Sequence, residues 1–410
     1  MQEGKYHIGS IFLAASAVLA LALYGLFFIY STGYIGDDFP VRENWTRQTV
    51  FFVIGAVLAV LVARWDYRSR SWFFFVCGGY AISLLLLVVV LFLGQRIGGA
   101  RRWLNLGFMT LQPAEFAKLF AIMLCAWLVG TGKSWLKSAG CCLLLVVPPA
   151  LLILLEPSYG NAFSLFPAIA ALYLLRWTSR RFIALLFALL FLVICLFTAG
   201  ITWLRSDAGT PYVERITTSP ALNSIGLRDY HIKRIHNYLT PRGEWNERQS
   251  IVTIASGGSY GKGYLQGTMK NLGFLPRTVA PTDFIFAVIC EEMGFLFGCL
   301  PVVGLYALLL AITLHWSACA EDKTGSALCN GLSMLLFTHI AINLAMTTRL
   351  IPIMGLPLPL LSYGGSYLLA TLLALGTMAS IPLHTGNREA PSTSGENTIS
   401  IFNFIVIRLR

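Results

Sequence analysis

The sequence predicts an all-α polytopic membrane protein with about ten transmembrane helices and one large extracytoplasmic loop. Three observations carry that prediction: a shortage of charge, long apolar runs, and basic clusters confined to alternate connections. Of 410 residues, 56% are hydrophobic and only 12% charged, against about a quarter charged in an ordinary soluble domain. Mean hydropathy is +0.70. A water-soluble fold is excluded, because the polar residues needed to cover its surface are missing. The net charge of +11 does not point to nucleic acid. Arg64, Arg68 and Arg70 lie between two apolar runs, as do Arg176, Arg180 and Arg181, and short cytoplasmic connections of membrane proteins carry such an excess.

Roughly 20 apolar residues cross a bilayer as a helix, and ten runs approach that length: 8–31, 49–64, 72–93, 114–131, 138–155, 161–176, 181–204, 284–314, 328–348 and 361–383. The second is short and the eighth long, which implies a partial and a tilted crossing. An even number places both termini on one side. The basic connections 64–71, 132–137 and 176–181 make that side the cytoplasm. Connections 32–48, 94–113, 156–160, 205–283 and 349–360 then face outward. No small-residue cleavage pattern follows the first run, so it is expected to stay as a span. The nine cysteines avoid the long outward segment, and no disulfide framework is expected.

Segment 205–283, roughly 79 residues, is the outlier among the connections, and long loops in compact proteins are usually functional. Aromatics recur through it (Tyr212, Tyr230, Tyr238, Trp245, Tyr260, Phe274), so short amphipathic helices on the membrane surface are expected. Residues 1–384 form one membrane domain with this loop inside it. Residues 385–410 form a cytoplasmic tail, disordered over 385–399 by its Ser, Gly and Pro content. The closing IFNFIVIRLR either adsorbs to the membrane or packs loosely.

Ionisable groups in or beside spans are costly and mark function by default. Glu115 and Lys118 in QPAEFAKLF are three apart, on one face of a helix that Pro113 begins; an ion pair follows, structural or functional. Asp283 stands where the outward segment enters the eighth span, where it suits a helix N-cap and equally a general base. Glu291 and Glu292 lie about 12 Å further along that helix, on faces about 100° apart, and are read as buried or paired structural groups. The run ASGGSYGKGYLQG fails as a P-loop, since Ser256 stands where a glycine belongs and Gly263 where Ser or Thr would. It remains a loop of backbone N–H groups with Lys262, suited to a phosphate or simply to a tight turn. Segment 205–283 holds ten Lys/Arg against six Asp/Glu, which agrees with an anionic substrate or with phospholipid headgroups.

Four stretches together resemble the SEDS family (RodA, FtsW and SpoVE), membrane glycosyltransferases that polymerise lipid II. They are GGARRWLNLGFMTLQPAEFAKL at 98–119, QSIVTIASGGSYGKGYLQGT at 249–268, PTDFIFAVICEEMGF at 281–295 and GLPLPLLSYGGS at 355–366. The resemblance runs from about residue 8 to 383 and is nearer RodA than FtsW. It implies a multi-pass peptidoglycan glycosyltransferase of the bacterial cytoplasmic (inner) membrane, serving elongation and cell shape. Asp283 of its TDFIF run would deprotonate the acceptor hydroxyl, with a divalent cation (Mg or Mn) as an optional partner and no organic cofactor. Undecaprenyl pyrophosphate would leave. Glu115 and Lys118 match the family's Glu–Lys pair, and Arg101 and Arg102 its outward arginines. Lys262, Arg234 and Ser362 complete the substrate-binding candidates. The expected partners are lipid II and a class B penicillin-binding protein transpeptidase.

The sequence departs from the family at Glu156-Pro157-Ser158-Tyr159-Gly160-Asn161-Ala162, where an acidic residue is lost from the third position, at Pro281, where a His is usual, and at Asn246-Glu247-Arg248. A lipid II flippase, or a non-catalytic scaffold of an elongation or division complex, stands as the alternative.

Overall fold

The structure is a computed structural model and describes residues 2–34, 43–97, 100–107, 109–131, 135–177, 198–206, 209–217, 236–240, 243–385, 398–401 and 405–408. In chain order the elements are α1 (Gln2–Gly33), α2 (Asn44–Arg64), α3 (Arg70–Leu93), β1 (Gln95–Ile97), β2 (Ala100–Asn105), β3 (Thr110–Leu111), α4 (Pro113–Thr131), α5 (Trp135–Leu155) and α6 (Tyr159–Trp177). They continue with α7 (Thr210–Thr217), α8 (Trp245–Gly257), α9 (Thr268–Asn271), α10 (Ile285–Gly294), a π-helical turn (Phe295–Cys299), α11 (Leu300–Cys319), α12 (Lys323–Thr347), α13 (Gly365–His384), β4 (Thr398–Ile401) and β5 (Ile405–Arg408).

Among the described residues, eight helical stretches are long and apolar enough to cross a membrane, and the chain is a multi-pass membrane protein. The expected run 161–176 is the helix α6, whereas most of 181–204 lies outside the described residues. Run 49–64 is not a partial crossing: α2 begins at Asn44 and has 21 residues, because polar Thr46, Arg47 and Gln48 join its first turns. The long eighth run is not one tilted rod either. Gly294 adopts φ 71°, and the π turn separates α10 from α11.

Burial sorts the helices into a centre and a periphery. In α4, α12 and α13 between 67% and 78% of the spanning window is buried, against 22–33% in the other five stretches. The central three pack on one another, with α2 against α13, α3 against α4 and α6 against α12. Peripheral helices turn Phe12, Val53, Phe74, Leu85 and Leu144 outward, as a surface facing hydrocarbon must. At the end of the bundle away from Asp283, the Asp322 carboxylate accepts from the N–H groups of Thr324 and Gly325, both at 3.1 Å. Such an N-cap contributes about 1 kcal/mol; Tyr67 and Arg68 also donate to Asp322.

Two departures from an all-helical reading are local. Connection 94–113 contains a three-stranded antiparallel sheet, β1-β2-β3. Residues 386–397, most of the stretch expected to be disordered, lie outside the described residues; beyond them β4 and β5 pair antiparallel, Thr398 opposite Arg408. The β-branched residues Ile399, Ile401, Ile405, Val406 and Ile407 explain the strand preference. In the long connection 205–283, α7, α8 and α9 are the expected short helices, and 218–235 lies outside the described residues.

Candidate active site

Asp283 is held by its neighbours' backbones. The residues before it turn repeatedly, Val279 and Ala280 N–H both donating to Pro276 O at 3.0 and 2.9 Å. Tyr363 N–H then donates to Pro281 O at 2.8 Å, and the Ser362 hydroxyl donates to Thr282 O at 2.5 Å. Asn343 of α12 reaches across with its amide, donating to Asp283 O at 3.0 Å and to Leu356 O at 2.7 Å. The Asp283 carboxylate stays half-buried and faces Gly355, where an added methyl would lie 3.9 Å from Oδ2. The N-cap reading is corrected: Phe284, not Asp283, occupies the cap position of α10, and Phe284 makes no side-chain cap hydrogen bond.

Ser362 is 2% exposed, and its oxygen also accepts from Leu358 N–H at 2.7 Å. Its carbonyl takes the Gln48 amide at 3.0 Å. The serine therefore holds the turn on which Asp283 rests.

Arg101 and Arg102 sit on β2 and point to two different helix ends. Arg101 donates to Phe92 O at 2.9 Å and Leu91 O at 3.3 Å, at the C-terminus of α3. Arg102 donates to Glu156 O at 3.0 Å and to Pro157 O, just past the C-terminus of α5. The last four carbonyls of a helix lack partners and carry partial negative charge, so paired arginines fasten the small sheet across both ends. Glu156 itself is 1% exposed, and neither carboxylate oxygen has a hydrogen-bond partner among the described residues. Burial pushes its pKa up to about 8, with the Arg102 charge pulling the other way.

One turn into α4 the expected ion pair is present, Lys118 Nζ to Glu115 Oε2 at 3.0 Å, both side chains buried. Lys118 also donates to Asn161 Oδ1 at 2.5 Å and contacts His339 Nε2 at 3.0 Å. An ammonium has three N–H groups, and all three are engaged inside the protein. His339 Nδ1 lies 2.9 Å from the Tyr367 hydroxyl. His339 is four residues before Asn343 on α12, about 6 Å along the axis, so this buried cluster lies beneath the Asp283 turn.

The glycine-rich run repairs the break between α10 and the π turn. Lys262 and Gly263 N–H donate to Glu291 O and Glu292 O at 3.0 and 2.9 Å. In return Phe295 and Leu296 N–H donate to Gly258 O and Ser259 O at 2.9 and 3.0 Å. Gly261 (φ 82°) must be glycine here, since a methyl would lie 2.2 Å from Glu292 O. The Lys262 ammonium is bound to Glu291 Oε1 and Thr268 Oγ1, both at 2.6 Å, and stays one-quarter exposed. Glu292 pairs with Lys270 at 2.5 Å and accepts from the Ser31 hydroxyl at 2.7 Å, tying the loop to the end of α1. Both glutamates are paired, as a structural reading expects.

The structure thus brings Asp283 and Ser362 together, seats Glu115 and Lys118 one layer below, and places Arg101 and Arg102 on the ends of two other helices and Lys262 at the far end of α10, bound to Glu291. Arg234 lies outside the described residues. A search for charges misses Asn343, His339, Tyr367 and Asn161; polar side chains inside apolar runs were the available signal. Among the described residues no three His, Cys, Asp or Glu side chains converge as a metal cage. A half-buried carboxylate such as that of Asp283 fits the mode in which Mg²⁺ is held by one or two carboxylates together with substrate phosphates.

The chain is similar to known proteins over most of its length. Peptidoglycan glycosyltransferase MrdB of Escherichia coli (strain K12) is 32% identical over 375 residues, covering 90% of this chain and 92% of that protein. Peptidoglycan glycosyltransferase RodA of Treponema pallidum (strain Nichols) is 29% identical over 424 residues, covering 90% and 96%. A chain from a solved peptidoglycan synthase complex, studied for its coordination of polymerization and crosslinking, superposes with TM-score 0.67 at 28% identity over 93% of this chain and 98% of its own. Residues 12–387 match the cell cycle protein family of FtsW, RodA and SpoVE, and the chain belongs to that family.

Proposed function

We propose that the chain is a peptidoglycan glycosyltransferase that polymerises lipid II at the outer face of the bacterial cytoplasmic membrane during elongation, with Asp283 as general base. The observation that carries this reading is the seat of Asp283, a half-buried carboxylate ahead of a helix, braced through its own and its neighbours' carbonyls by Asn343, Ser362 and Tyr363. Relatives named for that reaction over most of their length support the reaction class.

In this mechanism Asp283 accepts the proton of the acceptor sugar hydroxyl. The freed oxygen pair forms a bond to the anomeric carbon of the donor, and the bond from that carbon to undecaprenyl pyrophosphate breaks, its electrons leaving with the pyrophosphate. Arg101 and Arg102, which keep their charge while holding helix-end carbonyls, are the proposed source of positive charge for the anionic leaving group, with the partly exposed Lys262 as a further candidate. A divalent cation, Mg or Mn, would supply further charge neutralisation with Asp283 as its protein ligand. The orientation follows the basic connections: the Asp283 end outward, both termini cytoplasmic. A class B penicillin-binding protein is the proposed partner, by analogy with the synthase complex. The flippase alternative is weakened because Glu115, Lys118, Glu291 and Glu292 are each paired within the chain and none is left to line a path.

Labelled lipid II incubated with the purified protein tests the proposal. Wild type should yield polymer, and Asp283→Ala should lose at least about 100-fold, the lower range of general base catalysis, at equal folding. EDTA should suppress the wild-type rate, and Mg²⁺ or Mn²⁺ restore it. Polymer from Asp283→Ala at the wild-type rate would end the assignment.

A further inference from the structure

Between α4, α12 and α13 lies a cavity of about 30 Å³. Its polar end is formed by Glu115, His339, Tyr367 and Thr371, and the remainder is apolar, Leu119, Leu335 and Met378 among its walls. The hydrogen-bonding chain that reaches it can be assigned atom by atom. The Lys118 ammonium only donates, so His339 Nε2 at 3.0 Å accepts from it. The neutral ring then carries its proton on Nδ1 and donates to the Tyr367 oxygen at 2.9 Å. Tyr367 still has its own O–H to donate, and among the described residues no acceptor for it is present. Glu115 Oε1 faces the opposite need: it is buried with no hydrogen-bond partner, on a side chain only 3% exposed. Both groups line the same cavity, and Thr371, whose hydroxyl donates to Tyr367 O at 2.9 Å, leaves an oxygen lone pair beside them.

We propose that this cavity is an internal water site, whose water accepts from Tyr367 and donates to Glu115 Oε1 and Thr371 Oγ1. It closes a ring Glu115–Lys118–His339–Tyr367–water around the buried ion pair. The volume suits one or two waters, about 10–15 Å³ being required for each, and three partners are typical of a buried water. An apolar slot without such partners would stay dry. Here an unmet donor and an unmet acceptor meet in one space, and leaving either buried without a partner is costly. His339 and Tyr367 are then positioning residues: they fix the rotamers of Glu115 and Lys118 beneath the Asp283 turn and touch no substrate.

The test uses the full chain in lipid nanodiscs. Nitrogen-15 NMR on histidine-labelled protein, with His339→Gln to assign the signal, should show His339 as the neutral Nδ1–H tautomer. The Nε2–H tautomer would overturn the ring whatever the protein catalyses, so this arm stands apart from the proposed activity. In the kinetic arm, Ala370→Val narrows the cavity without touching a polar group, and Tyr367→Phe removes the hydroxyl while keeping the ring volume. Each should lower kcat for lipid II polymerisation about tenfold at unchanged KM. The double variant should be no worse than either single one, because both remove the same water. Ala370→Val with full kcat and a raised Tm would mean a dry packing defect and would overturn the proposal. Should Ala370→Val fail to fold, Tyr367→Phe decides alone: wild-type kcat and an unchanged His339 signal would overturn it.

Discussion

Asp283 precedes α10, and Glu291 and Glu292 lie at its other end, eight and nine residues on. The two glutamates are fully buried, each bound to a lysine at 2.6 and 2.5 Å, and they fasten a glycine-rich loop and the end of α1 to a broken helix. Asp283 is half-buried, and the groups that hold it grip carbonyls of the main chain around it. Carboxylates on the same short stretch thus serve opposite ends. Those that neutralise a lysine hold the fold, and under the proposed function the one whose backbone is braced does the chemistry. Charge near a membrane span marks importance, and what the charge is bound to tells which kind.

That contrast breaks most directly with near-isosteric amides. Asp283→Asn should lose polymerisation by about 100-fold or more with its Tm unchanged, whereas Glu291→Gln should lower Tm and keep activity within a few-fold. A Glu291→Gln protein as inactive as Asp283→Asn at wild-type Tm would put both carboxylates in one class.

The next effect is on stability. Glu292→Leu leaves Lys270, a side chain only 2% exposed, without its counter-charge. Removing one partner of a buried pair costs about 3–5 kcal/mol, while replacing both by apolar groups is often neutral. Thermal unfolding in detergent should show a large loss for Glu292→Leu and recovery of most of it in Glu292→Leu/Lys270→Met. A double variant no more stable than the single one would show that the pair does not act as a unit. A smaller, kinetic effect belongs to the brace at the other end. Asn343→Ala removes the amide that joins Asp283 O to Leu356 O, and displacements of about 1 Å at a reacting group cost up to 100-fold. A tenfold lower kcat at unchanged KM is expected, and a raised KM with intact kcat would make Asn343 a binding residue instead.

The sequence made the spans and Asp283 legible because both rest on local signals: apolar length, and a carboxylate beside a run of apolar residues. Glu115 and Lys118 were legible as a pair because helical spacing sets i and i+3 side by side. Lys262 was harder. A lysine in a glycine-rich loop reads as an anion site until its carboxylate partner, 29 residues later, is known to fold back against it. Arg101 and Arg102 belong to the same difficulty, since the carbonyls they hold end helices 9 to 55 residues away. The break at Gly294 was not legible: Glu291 and Glu292 interrupt the apolar run just before it, but apolar residues resume at once, and only the loop's backbone makes the interruption tolerable in a membrane.

The smallest expected effect concerns Glu156, a third kind of carboxylate, buried like the glutamates of α10 but without a lysine. Its pKa stands at about 8, against about 4.3 in an unfolded chain. Between those values the folded protein holds a proton that the unfolded chain has released, so raising the pH favours unfolding. The stability tied to this proton is complete below about pH 4 and is lost as pH rises through about 8. Glu156→Gln keeps the shape and removes the titration. The difference in Tm between wild type and Glu156→Gln should therefore move steadily against wild type from pH 5 to pH 8. Parallel pH profiles for the two proteins would mean that the carboxyl finds a partner in the membrane, most simply the Arg102 guanidinium released from the end of α5, and Glu156 would then join the paired glutamates rather than stand apart from them.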